Sequence, residues 1–406
     1  MALIVQKFGG TSVGSIERIE AVADLVVKTK QQGHQVVVVL SAMSGETNRL
    51  LALAKQIDKR PSARELDVLL TAGEQVSISL LAMAIIKRGH SAVSLLADQV
   101  NIRTDNMFGK ARIEDVAATR LKHELEHNRI AIIAGFQGRD IEGNITTLGR
   151  GGTDTSAVEI AGAINADECQ IYTDVDGVYT TDPRIEPNAR RMNYVTFEEM
   201  LEMASLGAKV LHIRSVEAAG KYNLPLRVLS SFNPDQGTLI SFEEAGVQTN
   251  IVSGIAFNRD ESLIYVNNIT KGTTQLSKIV KIFAEHGIEI DMISQVNHNF
   301  EKIDYAFTVH TNDYEQALEI LNSDERQIIN KGAVKGDSHV AKVSAVGVGM
   351  KSHSGVASLF FEALAQENID VILVSTSEIK ISVLIDEKYL ELAVRALHKV
   401  FLTENE

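Results

Sequence analysis

The sequence predicts an α/β protein: an amino-terminal part built on a mostly parallel central sheet sandwiched by helices, then two small ferredoxin-like βαββαβ modules. Short β-branched runs alternate with longer helical patterns up to residue 232, and glycine-bearing turns sit where those strands end. Beyond that point, segments of residues 262–310 realign with residues 342–386 at an offset of 80 to 81, which marks an internal repeat.

The alternation begins with Leu3–Val5 as a strand and a helix near 15–31. It continues with Val36–Leu40, helices across 46–57 and 64–88, Ala92–Leu95, a helix near 114–127 and Ile130–Ala134. The turns Gly9-Gly10, Ser41–Gly45, Gly135–Gly138 and Asp174–Gly177 fall at strand ends, where open α/β sheets bind ligands. Residues 1–240 read as one domain, closed by the turn Asn233-Pro234-Asp235-Gln236-Gly237. Residues 241–262 read as a linker that also offers a strand, Val247–Phe257, to the second copy of the repeat. The copies span 263–338 and 339–406. Each has a strand (Leu263–Val266, Val343–Val346), an amphipathic helix (near 273–286 and 355–367) and further strand and helix, the split βαβ arrangement. Sheets this small leave edges open, so the modules are expected to pair side by side in a homodimer.

Composition narrows the function. A net charge of −13 with no basic run argues against nucleic acid or an acidic membrane as partner, because phosphate backbones are held by clustered Lys and Arg. The amino terminus lacks a basic region before a long apolar core, and no run of about eighteen consecutive apolar residues occurs, so the expected location is the cytoplasm. Cys169 is the only cysteine, which excludes an intrachain disulfide or a cysteine metal cluster and leaves a buried, inert thiol.

Anion chemistry is written in two segments. Lys7-Phe8-Gly9-Gly10-Thr11-Ser12 ends the first strand with a mobile cation and two glycines that let backbone amides approach phosphate oxygens, although it is not the Walker pattern. Gly149-Arg150-Gly151-Gly152-Thr153-Asp154 opens a helix, where unpaired N–H groups and the helix dipole favour an anion. There Arg150 suits a carboxylate and Asp154 suits Lys7 or a substrate ammonium; otherwise Thr153 or Asp154 caps the helix and Arg150 forms a surface ion pair. Ser41 to Asn48 reads first as a helix cap, unless it lies beside Lys7. Glu74, in an apolar stretch, is either exposed or paired with a cation. In Thr173-Asp174 and the residues that follow, Tyr179 offers a flat face to a nucleobase and Arg184 a reach to phosphates. Asp176 and Asp182 read as turn residues rather than metal ligands.

In order and spacing these segments resemble the aspartate kinases of the amino acid kinase family, and the two repeated modules resemble ACT domains. With no homoserine dehydrogenase segment after Glu406, the monofunctional form is implied. The resemblance implies transfer of the ATP γ-phosphoryl group to the side-chain carboxylate of L-aspartate. Lys7 and Asp154 would be catalytic; Ser41, Thr47, Glu74, Arg150, Gly151, Gly152 and Thr153 would hold aspartate. Lys7, Phe8, Gly9, Gly10, Thr173, Asp174, Tyr179, Arg184, Lys209 and Val210 would hold ATP, with Mg²⁺ carried mainly by phosphates and water. Glu74 would meet the substrate's α-ammonium and Arg150 its α-carboxylate. Ser294 and Gln295 match effector positions for lysine or threonine. Two departures stand out: Ile213 follows His212 where the family has proline, and Lys271-Gly272-Thr273-Thr274 replaces an acidic turn before the first module's helix.

Overall fold

The structure, a computed structural model, describes residues 1–406 apart from 207–209, 234, 243–250, 298–301, 324–328, 330–332, 354 and 404–406. The described residues form two compact units. The first holds Met1–Val178, Arg191–Ser205 and the described residues of 210–242; the second holds Tyr179–Arg190, Leu206 and the described residues from Ile251 onward.

The first unit is built on an eight-stranded sheet. In spatial order its strands are Tyr194–Thr196, Thr238–Ser241, Leu226–Ser230, Glu168–Thr173, Leu3–Phe8, Gln35–Leu40, Ile130–Ala134 and Ala92–Leu95. Every neighbouring pair is parallel except Leu226–Ser230 with Thr238–Ser241. Runs such as Gln35-Val36-Val37-Val38-Val39-Leu40 suit central parallel strands because both faces are covered. On one face Val36, Val38, Leu40, Ile130 and Ile132 pack with Ile19, Val22 and Val26 of helix Ile16–Gln31 and with Ile78, Leu81 and Ile85 of helix Ala72–Lys87. Side chains alternate across a strand, so Val5, Val37, Val39 and Ile133, also buried, face the other way, where helix Gly152–Ala163 packs.

Two sequence expectations change, and one sheet is additional. The helix across 64–88 is two helices, Ala63–Leu70 and Ala72–Lys87, meeting at Thr71. The expected helix near 114–127 is a strand, Ile113–Val116, and a shorter helix, Thr119–Glu126. A four-stranded sheet of Ile113–Val116, Ile102–Thr104, Gln137–Arg139 and Ile145–Thr147 lies outside the predicted pattern. Buried Asp67 ties this sheet to helix Ala63–Leu70, accepting from Gly109 N at 3.0 Å, Thr147 N at 2.8 Å and Thr147 Oγ1 at 2.8 Å. That anchor fixes the residue from which the Gly149–Asp154 turn departs. By length and apolarity Ala63–Lys87 also meets the criterion for a membrane span, but half of its most apolar stretch is buried and Ile78, Leu81 and Ile85 belong to the core, so it reads as core packing.

The second unit carries a six-stranded antiparallel sheet, ordered Ile290–Asn297, Lys302–His310, Gly254–Thr270, Val334–Val346, Lys380–Asp386 and Val371–Thr376. The long strand Gly254–Thr270 is divided by a register shift near Glu261: Gly254–Asn258 pairs with Lys342–Val346, while Leu263–Thr270 pairs with Lys302–Thr308. Helices Thr273–Glu285 and Tyr314–Asn322 cover one core, and Val356–Gln366 and Leu390–Leu402 the other. Tyr179–Arg190 belongs here: Ile255 N donates to Thr180 O at 2.7 Å, Thr180 Oγ1 meets His398 Nε2 at 2.9 Å, and Arg190 donates to Leu402 O at 2.8 Å.

Candidate active site

In the first unit, the ends of strands Leu3–Phe8, Gln35–Leu40 and Glu168–Thr173 converge on a cleft of about 460 Å³. Its lining includes Lys7, Gly9, Gly10, Thr11, Ser41, Thr47, Glu74, Phe136, Gly149, Gly151, Gly152, Thr153, Asp154 and Thr173. The volume is typical of a small-molecule site. The close approach of the loops depends on glycine. A Cβ on Gly10 would stand 3.1 Å from Ala42 O, and one on Gly135 would stand 2.5 Å from Thr153 Cγ2.

Lys7 Nζ lies 2.5 Å from Asp154 Oδ1, and both side chains are largely buried. The pair therefore sits in a poorly screened environment, where a fixed cation acts strongly on a phosphoryl group. Helix Gly152–Ala163 starts at Gly151, whose φ of 69° is left-handed, and no side chain caps it. Thr153 is thus not the cap: its Oγ1 accepts from Ser41 Oγ at 2.9 Å. Helix Glu46–Ile57 likewise begins at Gly45 with no side-chain cap, so Ser41 and Thr47 line the cleft without capping that helix.

Glu74 departs from both sequence alternatives. It is 2% exposed, and no cation pairs with it among the described residues. Oε1 accepts from Ala42 N at 3.0 Å, while buried Oε2 has no hydrogen-bond partner. Burial pushes the carboxyl up to about 7, against the opposing pull of the Ala42 and Glu74 backbone amides. An orphaned buried carboxylate oxygen in a cleft wall is a place for a cationic ligand group.

Arg150 stands exposed between two cleft-lining glycines and makes no ion pair among the described residues. Phe8 is buried and stacks on Tyr172, with ring centroids 4.6 Å apart. Gly9 N donates to Tyr172 O at 3.3 Å. Asp174 accepts from Thr173 Oγ1 at 3.1 Å. Tyr179 and Arg184 lie in the second unit, where Arg184 Nη2 pairs with Asp182 Oδ2 at 2.6 Å. Val210 is a partly buried turn residue, and Lys209 lies outside the described residues. Ser294 and Gln295 lie on strand Ile290–Asn297, opposite Ala306 and Tyr305. Cys169 is fully buried, and its thiol is pushed well above its ordinary value by burial.

Sequence reading missed Phe136. It lines the cleft with φ 67°, a left-handed conformation rare for an aromatic residue, and its N–H donates to Ser156 Oγ at 3.1 Å. The signal for it was the position directly after Gly135 at a strand end. A second cleft, about 490 Å³, opens beside Arg112, Arg214 and Lys221, and none of its lining residues holds an orphaned buried polar atom.

A buried lysine–aspartate pair, glycine loops and a buried carboxylate with an unpartnered oxygen line one cleft at the strand ends of an α/β sheet, an arrangement suited to a small charged ligand. Residues 2–230 match the amino acid kinase family and residues 343–401 the ACT domain. The chain is 58% identical over 402 residues to the aspartate kinase of Pseudomonas putida, covering 99% of this chain and 98% of that protein. It is similar in structure to E. coli aspartokinase III in complex with aspartate and ADP in its R-state, with a TM-score of 0.85 and 26% identity, covering 99% of this chain and 100% of that one. The T-state of that enzyme, in complex with lysine and aspartate, matches with a TM-score of 0.76, 26% identity and the same coverage. The chain belongs to the amino acid kinase family and, within it, to the aspartate kinases.

Proposed function

We propose that the cleft divides its labour between an acceptor pocket and a phosphate loop. The activity is that of an aspartate kinase: ATP phosphorylates the side-chain carboxylate of L-aspartate to give 4-phospho-L-aspartate and ADP. A carboxylate oxygen of aspartate forms a bond to the γ-phosphorus as the bond from that phosphorus to the β,γ-bridging oxygen breaks. The nucleophile is already ionised at pH 7, so no general base is needed.

Glu74 takes the α-ammonium, which supplies the missing partner of Oε2; this single observation carries the reading. Arg150 closes on the α-carboxylate, and Ser41, Thr47, Gly151, Gly152 and Thr153 shape the acceptor pocket. Lys7, held by Asp154, neutralises charge on the transferring phosphoryl group, and Phe8, Gly9 and Gly10 form the phosphate loop. Thr173, Asp174, Lys209 and Val210 complete the ATP side within the first unit. Mg²⁺ would be carried mainly by the ATP phosphates and water. When bound it supplies charge neutralisation at the β- and γ-phosphates.

The catalytic domain is assigned to 1–240 and the ACT modules to 263–338 and 339–406, joined by 241–262. The first module, through Ser294 and Gln295, takes an amino-acid effector such as lysine or threonine, and the modules pair two chains in a homodimer. ADP release coupled to hydroxylamine trapping of the acyl phosphate tests the acceptor. Hydroxamate is expected with L-aspartate; product only with glutamate, carbamate, UMP or N-acetylglutamate would overturn the assignment.

A further inference from the structure

We infer that His212 is a positioning residue for the aspartate pocket: its side chain braces the glycine turn that carries Arg150. The inference rests on the proposed role of Arg150.

The turn Gly149-Arg150-Gly151 has left-handed φ values of 77° and 69° at its two glycines and is closed by one backbone bond, Gly152 N to Gly149 O at 3.1 Å. Further support comes from outside the turn. A Cβ placed on Gly151 would stand 2.4 Å from both Cβ and Cγ of His212, so the imidazole side chain occupies the space beside that glycine. His212 is in turn fixed at the start of helix Ile213–Tyr222. Its Nδ1 accepts from Arg214 N at 3.4 Å, and its carbonyl accepts from Ser215 Oγ at 2.6 Å and Ser215 N at 2.9 Å. The same helix start reaches the other end of the turn, where Arg214 Nη1 donates to Leu148 O at 3.3 Å. The turn is thus held at Leu148 and at Gly151, with Arg150 between them.

The charged groups around the ring are Asp154, Arg214 and Glu217. Burial first, and Arg214 second, hold the imidazole below its ordinary value, which keeps Nδ1 available as an acceptor. His212 moves no proton in the reaction; it sets where the Arg150 fork stands.

Bracing by the ring and capping by Nδ1 are separated by two substitutions. His212→Asn retains an N-cap acceptor but removes the ring; His212→Phe retains a ring but removes the acceptor. With the wild type forming hydroxamate from aspartate, His212→Asn is expected to raise KM for aspartate about fivefold to tenfold, with kcat and KM for ATP nearly unchanged. His212→Phe is expected to recover most of that loss despite a lower Tm. An unchanged aspartate KM in His212→Asn, or equal losses in both variants tracking Tm, would overturn the bracing role. Failure of the wild type to phosphorylate aspartate would instead overturn the acceptor assignment.

Discussion

Removing the charge of Glu74 should stabilise the ligand-free protein at alkaline pH while crippling its use of aspartate. The carboxyl rises from an ordinary 4.5 to about 7 because burial disfavours the ionised form. A raised folded-state value means that this group's contribution is fully present below pH 4.5 and is lost as pH climbs through 7. At about 1.4 kcal/mol per pH unit, the ionised group costs the empty protein about 3 kcal/mol above pH 7. Glu74→Gln removes that cost. Its amide still accepts from Ala42 N, but its NH₂ takes the unpartnered position of Oε2 and gives back about 1 kcal/mol. The net gain of about 2 kcal/mol corresponds to a rise in Tm of about 4–8 °C for a unit of this size. Scanning calorimetry without ligand at pH 5 and pH 8 checks it: the variant should exceed the wild type at pH 8 and not at pH 5. KM for aspartate should rise roughly a hundredfold, the loss of about 3 kcal/mol from one buried charge pair. A variant less stable at pH 8 with an unchanged KM would refute the reasoning.

Lys7→Ala should lower kcat by about 10²- to 10³-fold with little change in KM for aspartate, because its charge acts on the transferring group; steady-state kinetics showing an altered KM alone would remove that role. Arg150→Ala should raise KM for aspartate roughly tenfold to a hundredfold and leave Tm unchanged, since the side chain is exposed; an unaltered KM would exclude it from the pocket. In the second unit, Lys342 is buried with Nζ 3.0 Å from Glu261 Oε1 and also paired with Asp291. Lys342→Met should destabilise that unit by about 3–5 kcal/mol by stranding Glu261, and adding Glu261→Leu should recover much of it; equal denaturant midpoints for single and double variants would contradict this.

The parallel strands are legible in the sequence because runs such as Val36–Leu40 admit few other readings, and the two glycine loops because a lysine or arginine beside paired glycines is a recognisable anion-site pattern. The four-stranded sheet is not legible: three of its strands have three residues each, too few to show a period. Ile113–Val116 hides for a related reason, since apolar residues three apart fit a helix as well as a strand. Glu74 shows a subtler limit. Its sequence neighbourhood offers exposure or a cation, whereas folding supplies one amide and leaves the second oxygen without a hydrogen-bond partner. Phe136 and His212 are fixed by contacts with residues distant in sequence, Ser156 and Gly151; only the glycine turn at a strand end points to Phe136 locally.

The proposed ammonium pocket at Glu74 is tested most directly by comparing kcat/KM for L-aspartate and N-acetyl-L-aspartate, whose amide nitrogen carries no charge. The wild type should favour L-aspartate by about a hundredfold or more, and Glu74→Gln should largely abolish the preference. Equal use of the two acceptors by the wild type, or a preference that survives in Glu74→Gln, would contradict the placement of the substrate ammonium at that carboxylate.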